Sequence, residues 1–205
     1  MQLVLPELSA PAKLILDGAE GFTEEEYLSF CEANSKLKFE RTAKGEIVIV
    51  PPAGGESDYR SLEIGAELRA CAKKDGRGTA FGSSVEFLLP NGAALSPDAA
   101  WVAHDKLAGL SREQRRKFLR AAPDFVAEVM SPSDRLPDAQ AKMKDWMDGG
   151  VSLAWLINGD TRTIYIYRQG REVEERTGMM KLAADGPIAG FVIDLADLWA
   201  GSDRF

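Results

Sequence analysis

Two carboxylates stand where apolar residues would be expected. Asp98 follows Ser96-Pro97 and enters the run Ala99-Ala100-Trp101-Val102. Glu128 lies inside Phe125-Val126-Ala127-Glu128-Val129-Met130. Both runs are strand-like in their content of β-branched and aromatic residues. An ionised carboxylate in a buried strand is costly unless a cation or hydrogen bonds meet it. Two such acids brought together form an oxygen-ligand site for a hard divalent metal. Metal-assisted hydrolysis of a phosphodiester is the chemistry that such a site suits.

A third residue belongs to the helix expected over residues 137–148. Ala139, Met143, Trp146 and Met147 are spaced to form its buried stripe. Lys142 lies roughly 85° from the centre of that stripe and Lys144 about 115°, at about 100° per residue. Lys142 can therefore bury its stem and bring its ammonium to the sheet edge. There it can orient a water or meet developing negative charge on phosphate.

Other chemistries lack their residues. His104 is the single histidine, so a histidine-rich metal centre is excluded. It reads as a loop residue, and no Gly-x-Ser-x-Gly elbow is present for a serine hydrolase. Pro52-Ala53-Gly54-Gly55-Glu56 is too short for a phosphate loop and has no lysine. Cys31 and Cys71 read as small buried hydrophobes on helical faces.

The elements that must position these residues follow from periodicity and turn chemistry. Thr23 and Glu26 form a capping box that opens a first helix. Residues 37–41 and 46–50 form a hairpin about Ala43-Lys44-Gly45. Ser57 is expected to cap a second helix to about residue 74. Thr79 to Leu89 reads as one long or bent strand. Pro90-Asn91-Gly92 turns the chain back towards Asp98. Residues 105–122 resemble an insertion with one short helix, capped by Ser111 and Gln114. After Gly149-Gly150 come strands over 152–157, 163–168 and 172–176, a short strand near Phe191 and a last helical turn. The order predicts an α/β (α+β) chain with a mixed sheet flanked by helices. Its organisation is an N-terminal extension over 1–20 and a single domain over 21–205.

The chain has 205 residues, 45% hydrophobic and 28% charged, ordinary for a globular protein. Neither a membrane span nor a secretory signal is expected, which points to the cytoplasm. The net charge of −7 argues against a protein that coats nucleic acid. It leaves room for a nuclease with a local basic surface. Arg112 to Lys117 is the densest basic run, and a solvated helix face is its ordinary reading.

Ser96-Pro97-Asp98 and Glu128-Val129-Met130-Ser131-Pro132-Ser133 resemble two signatures of the Uma-type family of putative restriction endonucleases. Lys142, Trp146, Gly150-Val151 and Trp155-Leu156 are similar to its third block. The resemblance spans residues 20–170. It implies a PD-(D/E)XK nuclease fold, with a four- or five-stranded sheet and helices on both sides. It also implies Asp98 and Glu128 as ligands of Mg2+ or Mn2+, and DNA as the partner. Such nucleases usually carry a lysine two residues after the second acid, where this chain has Met130. Lys142 from the next helix is expected to supply the amine instead. Glu56 or Glu63 from the second helix is the candidate for an assisting acid. A homodimer would suit cutting of both strands. The rival expectation is a catalytically degenerate nuclease fold used for binding or interaction.

Overall fold

The computed structural model describes residues 11–14 and 22–204. Most of the expected N-terminal extension thus lies outside the described residues. Its strand β1 (Ala12–Leu14) adds to the edge of β3 (Ile47–Val50). Helix α1 (Glu24–Ala33) begins at the expected capping box, with Glu26 N–H donating to Thr23 Oγ1. Strand β2 (Lys38–Arg41) pairs antiparallel with β3, completing the expected hairpin.

Helix α2 (Gly55–Asp75) starts earlier than predicted. Gly54 is its N-cap and Ser57 lies inside the first turn, so Ser57 does not cap. The Ser57 side chain is buried, and its carbonyl accepts from Ser61 Oγ at 2.8 Å. Gly76, at φ 72°, closes the helix in the left-handed region, where glycine carries no Cβ penalty.

The expected long strand over 79–89 is two strands in two sheets. Strand β4 (Gly78–Gly82) ends in a turn, where Val85 N–H donates to Gly82 O at 3.4 Å. Strands β5 (Phe87–Leu88) and β6 (Ala94–Leu95) then join the sheet of β1 to β3. The transfer buries Phe87 against Trp146, with ring centroids 6.2 Å apart. It also buries Leu88 in the cluster of Tyr27, Phe30, Phe39, Ile47 and Ile49 under α1.

Strand β7 (Ala99–Ala103) pairs antiparallel with β4 and with β8 (Phe125–Val129). The insertion between them holds two short pieces, α3 (His104–Ala108) and a 3-10 turn at Gln114–Arg116. His104 opens α3 and is not a loop residue. Ser111 and Gln114 do bond reciprocally, but no apolar stripe follows to extend the turn. The basic run there is solvent-exposed.

Strand β8 runs parallel to β9 (Leu153–Asn158), and helix α4 (Leu136–Asp148) is their crossover. Strands β10 (Thr163–Arg168) and β11 (Glu174–Thr177) complete a sheet of order β11-β10-β9-β8-β7-β4. The architecture is therefore a mixed α+β fold, and its main sheet has six strands where four or five were expected. A second, five-stranded sheet has the order β1-β3-β2-β6-β5. The tail adds a hairpin of β12 (Lys181–Ala183), which sequence reasoning missed, and β13 (Val192–Asp194). It ends in α5 (Ala196–Ala200) and a 3-10 turn at Gly201–Arg204.

One face of the six-stranded sheet packs Trp101, Phe125 and Trp155 against Ile64 and Leu68 of α2 and Leu198 and Trp199 of α5. The other packs Ala100, Val126, Ala154 and Leu156 against Met143 and Trp146 of α4. No helix among the described residues is long and apolar enough to cross a membrane.

Candidate active site

Strands β7 and β8 pair with Ala99 opposite Ala127. Asp98 immediately precedes β7, and its charge acts on Glu128 of β8. Asp98 N–H donates to Ala127 O at 3.1 Å, one residue out of the register that pairs Ala99 with Ala127, so the strand bulges where Asp98 enters it. Alternation along β8 puts Glu128 on the α4 face, in line with Val126.

Helix α4 answers Glu128 with two donors one turn apart. Trp146 Nε1 donates to Glu128 Oε1 at 2.7 Å. Lys142 Nζ lies 3.0 Å from Glu128 Oε1 and 3.1 Å from Oε2. Lys144 points outward instead and pairs with Asp148. Asp98 Oδ2 accepts from Val129 N–H at 2.7 Å, so a backbone donor fixes its carboxylate. Ser61 of α2 also contributes a side-chain hydrogen bond to Asp98.

Sequence reasoning missed a third acid, Glu40 of β2. It is 5% exposed, and its Oε1 accepts from Lys142 Nζ at 2.9 Å and from Ser96 N–H at 3.1 Å. Lys142 also donates to Ser96 O at 3.0 Å. The ammonium thus joins the two sheets. Glu40 gave no local signal, because β2 reads Lys-Phe-Glu-Arg and a charge in such a strand ordinarily marks the solvent face. Helix α2 sends no acid into this cluster by the contacts observed. Glu56 pairs with Arg60 at 2.6 Å, and Glu63 interacts with Tyr59.

Burial pushes the Glu128 carboxyl above the ordinary carboxylate range, and Asp98 and Glu40 add to this by like-charge repulsion. Lys142 and the Trp146 N–H pull the other way. Asp98 is raised by burial, against the opposing effects of Val129 N–H and Lys142. Burial alone would lower the Lys142 ammonium, but Glu128 and Glu40 outweigh it and hold it protonated. Three acids thus surround the Lys142 ammonium, with Lys38 also acting on Asp98, and this excess of acid favours a further cation. Met130, where the usual lysine would stand, is 7% exposed and packs in the core beneath α4.

A fourth buried acid lies behind Glu40. Glu86 accepts a hydrogen bond from Tyr27 Oη, and burial, followed by Glu40's charge, raises its pKa to about 7. A carboxyl raised on folding stabilises the native state below its unfolded pKa. That contribution is lost as pH climbs to the folded value. From pH about 4.5 to about 7, stability should fall by roughly 3 kcal/mol through this group. Glu86→Gln should flatten that part of a urea-denaturation pH series. An unchanged slope would show that Glu86 does not titrate in this window.

A mixed sheet flanked by helices, with a parallel strand pair bridged by a crossover helix, is a restriction-endonuclease-like fold. A crystal structure described as a putative nuclease belonging to DUF820, from Anabaena variabilis, has the same fold. It matches with a TM-score of 0.74 and 20% identity, covering 87% of this chain and 98% of that one. The chain belongs to the Uma2 family, described as putative restriction endonuclease, whose sequence model matches residues 24–195. The family resemblance read from the sequence is thereby borne out. No curated protein matches the chain.

Proposed function

We propose that the chain is a metal-dependent endonuclease of the PD-(D/E)XK type that hydrolyses DNA phosphodiester bonds. The observation that carries this reading is that the N–H of Val129, next to Glu128, holds the Asp98 carboxylate, while Lys142 pairs with Glu128. Asp98 and Glu128 would hold Mg2+ or Mn2+. Both offer hard carboxylate oxygens, and the excess of acid over ammonium suits a divalent cation. No group of three or more His, Cys, Asp or Glu that could hold a metal occurs among the described residues. A two-carboxylate site still fits Mg2+, which usually completes its shell with waters and substrate phosphates. When bound, the ion would acidify a water and neutralise phosphate oxygens.

The protein's own groups supply the rest. Val129 N–H fixes Asp98, and Trp146 fixes the angle of Glu128. Lys142 brings a permanent positive charge to the phosphate that undergoes attack. A DNA substrate agrees with a cytoplasmic setting and with a homodimer that cuts both strands.

The second reading, a nuclease fold kept for binding, is favoured by the pairing of Glu128. Both its oxygens already meet protein donors, and among the described residues no buried side-chain polar atom lacks a partner. Calorimetry with Mn2+ or Mg2+ separates the two. Binding should be present in the wild type and lost in both Asp98→Ala and Glu128→Ala. Absence of binding at millimolar metal, with all three proteins folded, would sink the hydrolase reading. Cleavage assays on duplex DNA, single strands and small phosphodiesters would then define the substrate.

A further inference from the structure

Lys142 has three N–H donors, and the protein occupies all of them. Glu40 Oε1, Ser96 O and Glu128 lie 2.9, 3.0 and 3.0 Å from Nζ. An ammonium carries three donors and no more. None remains for a substrate phosphate unless one acceptor lets go. Ser96 O is backbone and stays in place. Glu40 is buried, and Ser96 N–H pins the same oxygen that receives Lys142. Glu128 is the acceptor with an alternative partner, the cation of the proposed site.

We propose that Glu40 is a positioning residue that retains the Lys142 ammonium while Glu128 exchanges it for a divalent cation. The inference rests on the metal reading above. Glu40 reaches the ammonium from the second sheet, so its hold does not depend on the strands that carry Asp98 and Glu128. The exchange leaves one Lys142 N–H free for a phosphate oxygen and relieves Glu128 of its crowded pairing. No bond is made or broken in this step. Without Glu40, the ammonium would turn fully to Glu128 and compete with the cation for it.

The test uses 15N-lysine-labelled protein and Mn2+ calorimetry on the wild type, Glu40→Gln, Lys142→Met and the double variant. Gln can still accept from Ser96 N–H, and circular dichroism checks each fold. The wild type should show a slowly exchanging ammonium resonance that Lys142→Met removes. Glu40→Gln should abolish its protection. Glu40→Gln should also weaken Mn2+ binding by about tenfold, but by less than about threefold in the Lys142→Met background, as an effect carried through Lys142 requires.

Equal losses in both backgrounds would make Glu40 a ligand or a simple source of field, and would overturn the proposal. So would a protected resonance that persists in Glu40→Gln. If the folded wild type binds no Mn2+, the metal reading fails and the exchange falls with it. The ammonium resonance still decides, without metal, whether Glu40 anchors Lys142.

Discussion

Trp146→Ala should cost about 4 kcal/mol of stability, the largest loss expected from any change at the site. The indole is fully buried and meets Phe87 edge-on, with ring centroids 6.2 Å apart. It lies among Leu89, Leu95, Val126 and Leu156, side chains of both sheets, so truncation opens a cavity that one sheet alone cannot close. The same change removes the N–H that donates to Glu128 at 2.7 Å and leaves a buried carboxylate with one donor fewer. Trp146→Phe separates the two effects. It keeps most of the apolar volume and should lose roughly 2 kcal/mol, the range for a hydrogen bond to a charged group. Urea denaturation of the three proteins measures both steps. A loss below about 1 kcal/mol for Trp146→Ala would mean that the core does not rest on this ring.

Under the proposed function, Asp98→Asn should reduce metal-dependent cleavage of DNA by about a thousandfold or more, while changing stability by less than about 1 kcal/mol. Asparagine keeps an oxygen for the Val129 N–H, so the strand-end hydrogen bond can survive. What disappears is the charge, and burial already opposes that charge. A residue used as a structural cap would give the reverse pattern, with stability falling while activity persists. Parallel turnover and denaturation measurements on the one variant decide between them. Full activity in Asp98→Asn would remove Asp98 from the chemistry.

The acids and the lysine were legible because each broke a local rule. A carboxylate in an apolar strand run, or a lysine beside an apolar helical stripe, is visible within ten residues of sequence. Glu40 broke no such rule. In Leu37-Lys38-Phe39-Glu40, alternation of apolar and charged residues describes a strand with one wet face. Its burial comes from the second sheet closing on α4, which periodicity within β2 does not report. The same limit explains the strand over 79–89. Its content of strand formers was read correctly, but the turn after Gly82 sends its two halves into different sheets. At Ser57 local chemistry was outcompeted, because the helix could start one turn earlier behind glycine. The three-part family signature carried the fold further than propensity alone, and it ran through the same residues that the structure brings together.

The cluster of Glu40, Ser96, Asp98, Glu128 and Lys142 has a consequence for how the chain matures. Its members come from four separate stretches, and the Lys142–Glu40 contact spans 102 residues. Contacts of such long range form late, after the entropy of loop closure has been met. The parallel β8–β9 ladder, with α4 as its bridge, belongs to the same slow class. A growing polypeptide therefore cannot hold the cluster until α4 has been synthesised, more than two-thirds of the way along. Partial folds and truncated chains carry the acids without their ammonium. Assembly of the site and completion of the two-sheet architecture are thus one event, and the chain cannot acquire the first while still lacking the second.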